Sequence, residues 1–139
     1  MDEARVKHLE LIQATIMRMG QNSFIYKGWM VTLVAAVFAL AAKDDLSPRF
    51  LFVALLPAIA FWGLDGFYLR QERLFRRHYD AVRLVPLDEW QKDAFCMHVR
   101  QYQAQECGWL RVCASKTVAG LYLPMILLTL AVSCLALRA

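Results

Sequence analysis

The chain has 139 residues, of which 59% are apolar and 20% charged, with a formal net charge of +4 and a mean hydropathy of +0.37. That is more apolar sequence than the roughly 45–50% of ordinary soluble domains, so the charges must be segregated from apolar runs, as in a membrane protein. The modest positive charge fits a cytoplasmic membrane and calls for no nucleic-acid partner.

The first 19 residues carry Asp2, Glu3, Arg5, Lys7, His8, Glu10 and Arg18. They have no apolar core or cleavage site of a signal peptide. Residue 2 is not Gly and the C-terminus is not a prenylation box, so no lipid anchor is expected. Within residues 1–20, Val6, Leu9, Ile12, Ile16 and Met19 recur at helical steps with polar residues between them. The pattern predicts an amphipathic helix, lying on the membrane or packed on the protein, with Gly20 ending it and Asn22 or Ser23 capping the next.

Residues 24–42 form a first apolar run long enough to cross about 30 Å of hydrocarbon at about 1.5 Å per residue. Lys43 to Arg49 reads as a polar turn, with Ser47 before Pro48 as cap and first-turn proline. Residues 50–69 span back, so 24–69 is a transmembrane hairpin. Pro57 falls inside the second span and predicts a kink. Beyond Leu69 the apolar stripe persists through Phe75, Tyr79 and Val82 while Arg70, Arg73, Arg76, Arg77 and Arg83 punctuate it. The second helix is thus expected to run into water as far as Val85, with Pro86 ending it.

Residues 70–116 read as a helical cytoplasmic extension. Asp88 and Gln91 have capping-box spacing, and a nearly continuous helix from Glu89 through Lys116 into the third span is the simplest pattern, weakest at Gly108. Residues 117–137 form a third span, in which Pro124 predicts a kink. The expected fold is an all-α membrane protein of three transmembrane helices with a helical cytoplasmic portion.

Lys and Arg set the orientation. Thirteen of the 16 lie in the N-terminal segment through Lys27 or in 70–116. By the positive-inside rule these parts are cytoplasmic and the C-terminus is periplasmic, in a bacterial inner membrane. Cys96, Cys107 and Cys113 would then be free thiols. Tyr26, Trp29, Trp62, Tyr68 and either Trp109 or Tyr122 fall near the inner interface, as an aromatic belt does.

Candidate functional residues follow from this layout. In an antiparallel hairpin turning near residues 45–46, Asp65 comes level with Lys27. That predicts an ion pair, either a gate or a structural pin, which lowers the cost of a charge in the membrane. Gly28, Gly63 and Gly66 at the same level would allow close helix packing. The basic face of Arg70, Arg73, Arg76, Arg77 and Arg83 can meet anionic head groups. Arg73 and His78 match the R-x4-H spacing of HEPN ribonucleases, a resemblance that implies phosphodiester cleavage by those two residues. Cys96-Met-His98 looks like half of a metal site without further ligands at suitable spacing. No cofactor is called for, and no Gly-rich phosphate loop or nucleophile elbow is present.

Asn22–Trp29 and Phe61–Phe75 resemble segments of small bacterial multi-span proteins. In layout, over about residues 5–85, the chain resembles the SLATT-type antiphage membrane effectors. That resemblance implies a homo-oligomer, its partner being itself, that disturbs the bilayer when a cytoplasmic sensor or enzyme triggers it. A third span departs from their two-span scheme. The alternative expectation is a membrane anchor or accessory subunit that docks a soluble partner through residues 70–116.

Overall fold

The computed structural model describes residues 3–42 and 48–138. The turn predicted around Ser47 lies mostly outside them. Every regular element among the described residues is helical. Three helices, α1 (Glu3–Ala41), α2 (Leu55–Leu84) and α5 (Lys116–Ala136), are long and apolar enough to cross a membrane. Between α2 and α5 lie two short helices, α3 (Leu87–Trp90) and α4 (Trp109–Cys113).

The hairpin of α1 and α2 is the frame. At about 1.5 Å per residue, the 39 residues of α1 make a rod of about 58 Å, nearly twice the hydrocarbon thickness. The two helices run antiparallel along their whole paired length. Arg5 meets Val82 and Val85, the rings of His8 and His78 stand 5.8 Å apart, Gly20 lies against Glu72, and Lys27 meets Asp65.

The break expected at Gly20 does not occur: α1 passes through Gly20, Asn22 and Ser23 unbroken. A mid-helix glycine costs about 1 kcal/mol relative to alanine, and continuous packing along α2 outweighs it. Ser23 points into the hairpin instead of capping a helix.

The second span starts as a 3₁₀ segment, Pro48–Ala54, before α2 begins. Pro57 is the third residue of α2, so its missing N–H falls in the first turn, where no intrahelical acceptor is lost. Pro57 thus stands in the first turn of α2 and not in mid-helix, where a kink is expected. Pro124 is inside α5, which continues through it.

The continuous helix expected from Glu89 to Lys116 is not formed. Residues 91–93 and 100–105 are 3₁₀, residues 96–99 are irregular, and Ser115 separates α4 from α5. The capping box is absent too. Pro86 occupies the N-cap of α3 without a side-chain cap bond, and Gln91 ends the helix. The reason is length. Cys113 returns to pack on Gly66, about 27 Å back along α2 from its end at Leu84. A 28-residue α-helix would run about 42 Å and overshoot.

Two hydrophobic cores result. One joins α1, α2, α5 and the 3₁₀ segment through Met30, Val34, Ala54, Ala58, Val118 and Tyr122. The small residues Ala54 and Ala58 let the helices approach closely there. Thr129 and Ser133 are fully buried on α5 and bond back to the carbonyls of Met125 and Thr129, which satisfies hydroxyls that packing shields from solvent. The second core, at the other end of the hairpin, holds Ile12, Val82 and Trp90. Outward from the first core, large apolar side chains such as Phe24, Leu56 and Ile59 are exposed, at 78%, 69% and 58%. Such a surface requires an apolar surrounding.

Candidate functional site

A layer of polar contacts separates the two cores, and Asp65 is its centre. The side chain is fully buried. Lys27 Nζ lies 2.5 Å from Asp65 Oδ2 and donates to Ser23 Oγ at 2.8 Å, while Ser23 donates to Asp65 Oδ1. Ser23 and Lys27 are one turn apart on α1, so both face the same point on α2. A buried carboxylate is tolerated only when paired and hydrogen-bonded, and this closed triangle supplies both. Lys27 keeps 25% of its side chain exposed, while its ammonium is held between Ser23 and Asp65. On the third side, the buried hydroxyl of Tyr122 comes within electrostatic range of Asp65 without a hydrogen bond of good geometry.

Aromatic residues fix this level. Tyr26 packs on Phe61 and Tyr68, with centroids 5.7 and 5.2 Å apart. Trp62 stacks on Tyr122 at 6.3 Å with rings 3° from parallel. Two indoles tie α4 to α2: Trp62 Nε1 donates to the Cys113 carbonyl at 2.9 Å, and Trp109 Nε1 donates to the Gly63 carbonyl at 3.0 Å.

The three glycines behave differently from one another. A β-carbon on Gly66 would overlap Cys113 Sγ, and one on Gly63 would sit 3.3 Å from the Trp109 ring. Both allow close approach, but of α4 and not of α1. Gly28 faces outward, where a β-carbon would meet nothing within 4 Å, so it does not mediate packing within the chain. The reason is angular: Gly28 follows Lys27 by about 100° around α1, away from α2.

The basic face is also more engaged than its spacing implied. Arg70 Nε donates to the Cys107 carbonyl at 3.1 Å, and Arg77 Nε donates to Glu106 Oε2 at 2.6 Å. Arg73 lies 3.9 Å from the same carboxylate. Arg76 pairs with Glu72 and Arg83 with Asp80 along the helix. Three of the five arginines thus staple residues 106–107 to α2. The Arg77 hydrogen bond leads in holding the Glu106 carboxyl below its ordinary value. Arg73 and His78, five residues apart, stand about 140° apart around α2. His78 is 4% exposed and directed into the hairpin.

That burial reveals a cluster that sequence patterning did not isolate. His8 from α1 and His78 from α2 place their Nε2 atoms 3.1 and 2.7 Å from one acceptor, the Cys96 carbonyl. A carbonyl only accepts, so both Nε2 atoms carry hydrogen. Trp90 Nε1 donates to His8 Nδ1 at 3.0 Å, and the Tyr102 hydroxyl lies 3.5 Å from His78 Nδ1. His8 Nδ1 therefore accepts from the indole N–H, while the Tyr102 hydroxyl can either donate to His78 Nδ1 or accept from it. Next to Cys96, Phe95 adopts φ 60°, a left-handed conformation that costs a bulky residue on the order of 1–3 kcal/mol. Its ring packs on His8 and Trp90, which holds it there. The hairpin register alone does not reveal it: the arithmetic that aligns Lys27 with Asp65 places residue 8 level with residue 84, six residues beyond His78.

Cys96 Sγ lies 3.4 Å from His98 Nδ1, and no group of three or more metal-binding side chains gathers among the described residues. No protein-family model, curated protein or solved structure matches the chain.

Proposed function

We propose that the chain is a homo-oligomeric inner-membrane effector, pore-forming or depolarising, whose cytoplasmic helical head acts on the spans through the Asp65 level. The carrying observation is mechanical. Helices α1 and α2 continue without a break from the head core around Ile12 and Val82 to the membrane core around Met30 and Ala58. Between the cores they are pinned by one buried carboxylate shared between helices. A change at the head end is therefore delivered to the spans as a movement of rigid rods.

The interior of the three-helix unit is filled by Met30, Val34, Ala58, Val118 and Tyr122, so conduction needs several copies around an axis. The exposed apolar faces of α1 and α2 offer surface for lipid and for neighbouring copies. A role in antiphage defence is supported by the layout resemblance over residues 5–85. The test is induction in bacterial cells with a potential-sensitive dye and crosslinking of membranes. Collapse of the potential together with higher-order crosslinked species is expected. A crosslink pattern of monomers with the potential intact at every level of inserted protein would overturn the reading.

One observation favours the second reading, an anchor that docks a soluble partner. An open groove of about 390 Å³ lies between the head helices, lined by Gln13, Ile16, Met17, Arg76, Tyr79 and Asp80. An anchor would copurify stoichiometrically with one soluble protein and would leave the membrane potential unaffected.

A further inference from the structure

His78 occupies an unusual position. On one side it shares the Cys96 carbonyl with His8. On the other it lines a cleft of about 310 Å³ together with Glu89, Asp93, His98 and Tyr102. Thus a buried imidazole has an open, acid-lined space beside it.

The hydrogen-bond partners decide which histidine can take a proton. Protonation of an imidazole that donates through Nε2 must occur at Nδ1. For His8 that atom faces the Trp90 indole N–H, which can only donate. For His78 it faces the Tyr102 hydroxyl, which can rotate to accept.

We propose that His78 is a proton-operated latch on the head. Neutral, it holds the 91–99 segment to the hairpin through the Cys96 carbonyl. Nε2–H can donate in either protonation state, so burial of the charge drives the release: when a proton from solvent adds to Nδ1, the imidazolium, 4% exposed in the neutral arrangement, turns into the cleft toward Glu89 and Asp93 and leaves the carbonyl to His8 alone. No covalent bond of the chain changes. The segment released is the one held with Phe95 in the left-handed region, so it has a more favourable backbone conformation available.

The charged and titratable groups around His78 come from every neighbouring element. They are His8 and Arg5 on α1, Glu89 on α3, Asp93, Cys96 and His98 on the following segment, and Tyr102. Arg77 and Asp80 on α2 itself are exposed. Arg5 is committed to the carbonyls of Val82, Arg83 and Val85. Burial pushes the His78 value below the ordinary 6.5, against the opposing effect of its bond to Cys96. A depressed histidine favours the neutral folded form. Stability from the latch is therefore complete above 6.5 and declines as pH falls below it. Glu106, held below its ordinary 4.5 by Arg77, stays ionised through the start of that decline.

The test is amide hydrogen exchange of the full chain in lipid nanodiscs, from about pH 7.5 to about pH 5.5, corrected for the chemical exchange rate at each pH. Protection across residues 91–99 is expected to fall several-fold, up to about tenfold, with α5 unchanged. His78→Gln, which keeps an N–H donor but does not titrate, should abolish the pH dependence. His8→Gln and His98→Gln should retain it. Constant protection in the native chain, or an undiminished pH dependence in His78→Gln, would overturn the latch. Should His78→Gln misfold, ring ¹⁵N spectra of the native chain decide. His78 must lose its neutral Nδ1 signal in that interval before His8 does, and the reverse order overturns the proposal.

Discussion

At the scale of single residues, Asp65 carries the largest energetic commitment. It is buried, and its two α1 partners neutralise it from one face. Removing one partner of a buried pair costs about 3–5 kcal/mol, because a charge is left without compensation. Asp65→Ala should therefore lower stability by about 3 kcal/mol in thermal unfolding in detergent. Lys27→Ala on top of it should cost little more, and strictly additive losses would show that the two side chains do not interact. Gly66 gives a steric counterpart. Gly66→Ala should destabilise by about 1–3 kcal/mol through overlap with Cys113 Sγ. Cys113→Ala should recover most of that loss, since the remaining neighbours, Cys113 Cα and Cβ, lie at 3.5 Å. No recovery in the double variant would place the strain elsewhere.

At the scale of elements, the ends of helices show how the head is assembled. Arg5 spreads one guanidinium nitrogen over the carbonyls of Val82, Arg83 and Val85 at 2.6–2.8 Å. These are last-turn carbonyls of α2, which lack intrahelical donors and sit at the negative end of the helix dipole. Arg5→Ala should fray residues 80–86 and cost about 1–2 kcal/mol, read as faster amide exchange confined to that turn. Unchanged exchange there would mean that water replaces the guanidinium without loss. The long elements were legible in the sequence because their signals are long. Apolar runs of 19 to 21 residues, the stripe through Phe75, Tyr79 and Val82, and Pro86 as a stop all have one physical meaning. The hairpin register was legible too, from turn position alone, and it aligned Lys27 with Asp65. What escaped was local structure between 87 and 115. There, helix-like spacing of Phe95, Val99, Tyr102 and Trp109 was overridden by tertiary anchors: the Cys96 carbonyl, Glu106, and the two indole bonds of Trp62 and Trp109. Periodicity reports which residues are apolar, not which backbone atoms a distant histidine or arginine will claim.

At the scale of the molecule, the account is of two cores on one pair of rods. The core among the three long apolar helices and the core at the far end of the hairpin share no buried side chain. What joins them is the continuity of α1 and α2 and the triangle of Ser23, Lys27 and Asp65 between them. If that joint couples the two ends, weakening it must be felt at a distance. Ile12 lies eleven residues before Ser23, about 16 Å along α1, and contacts nothing in the triangle. The decisive measurement is amide exchange at Ile12 and Val82 in Asp65→Ala against the native chain, both in lipid nanodiscs. The account predicts a loss of protection at these head positions together with the turns around residue 65. Loss limited to the turns around residue 65, with Ile12 and Val82 exchanging at native rates, would contradict it.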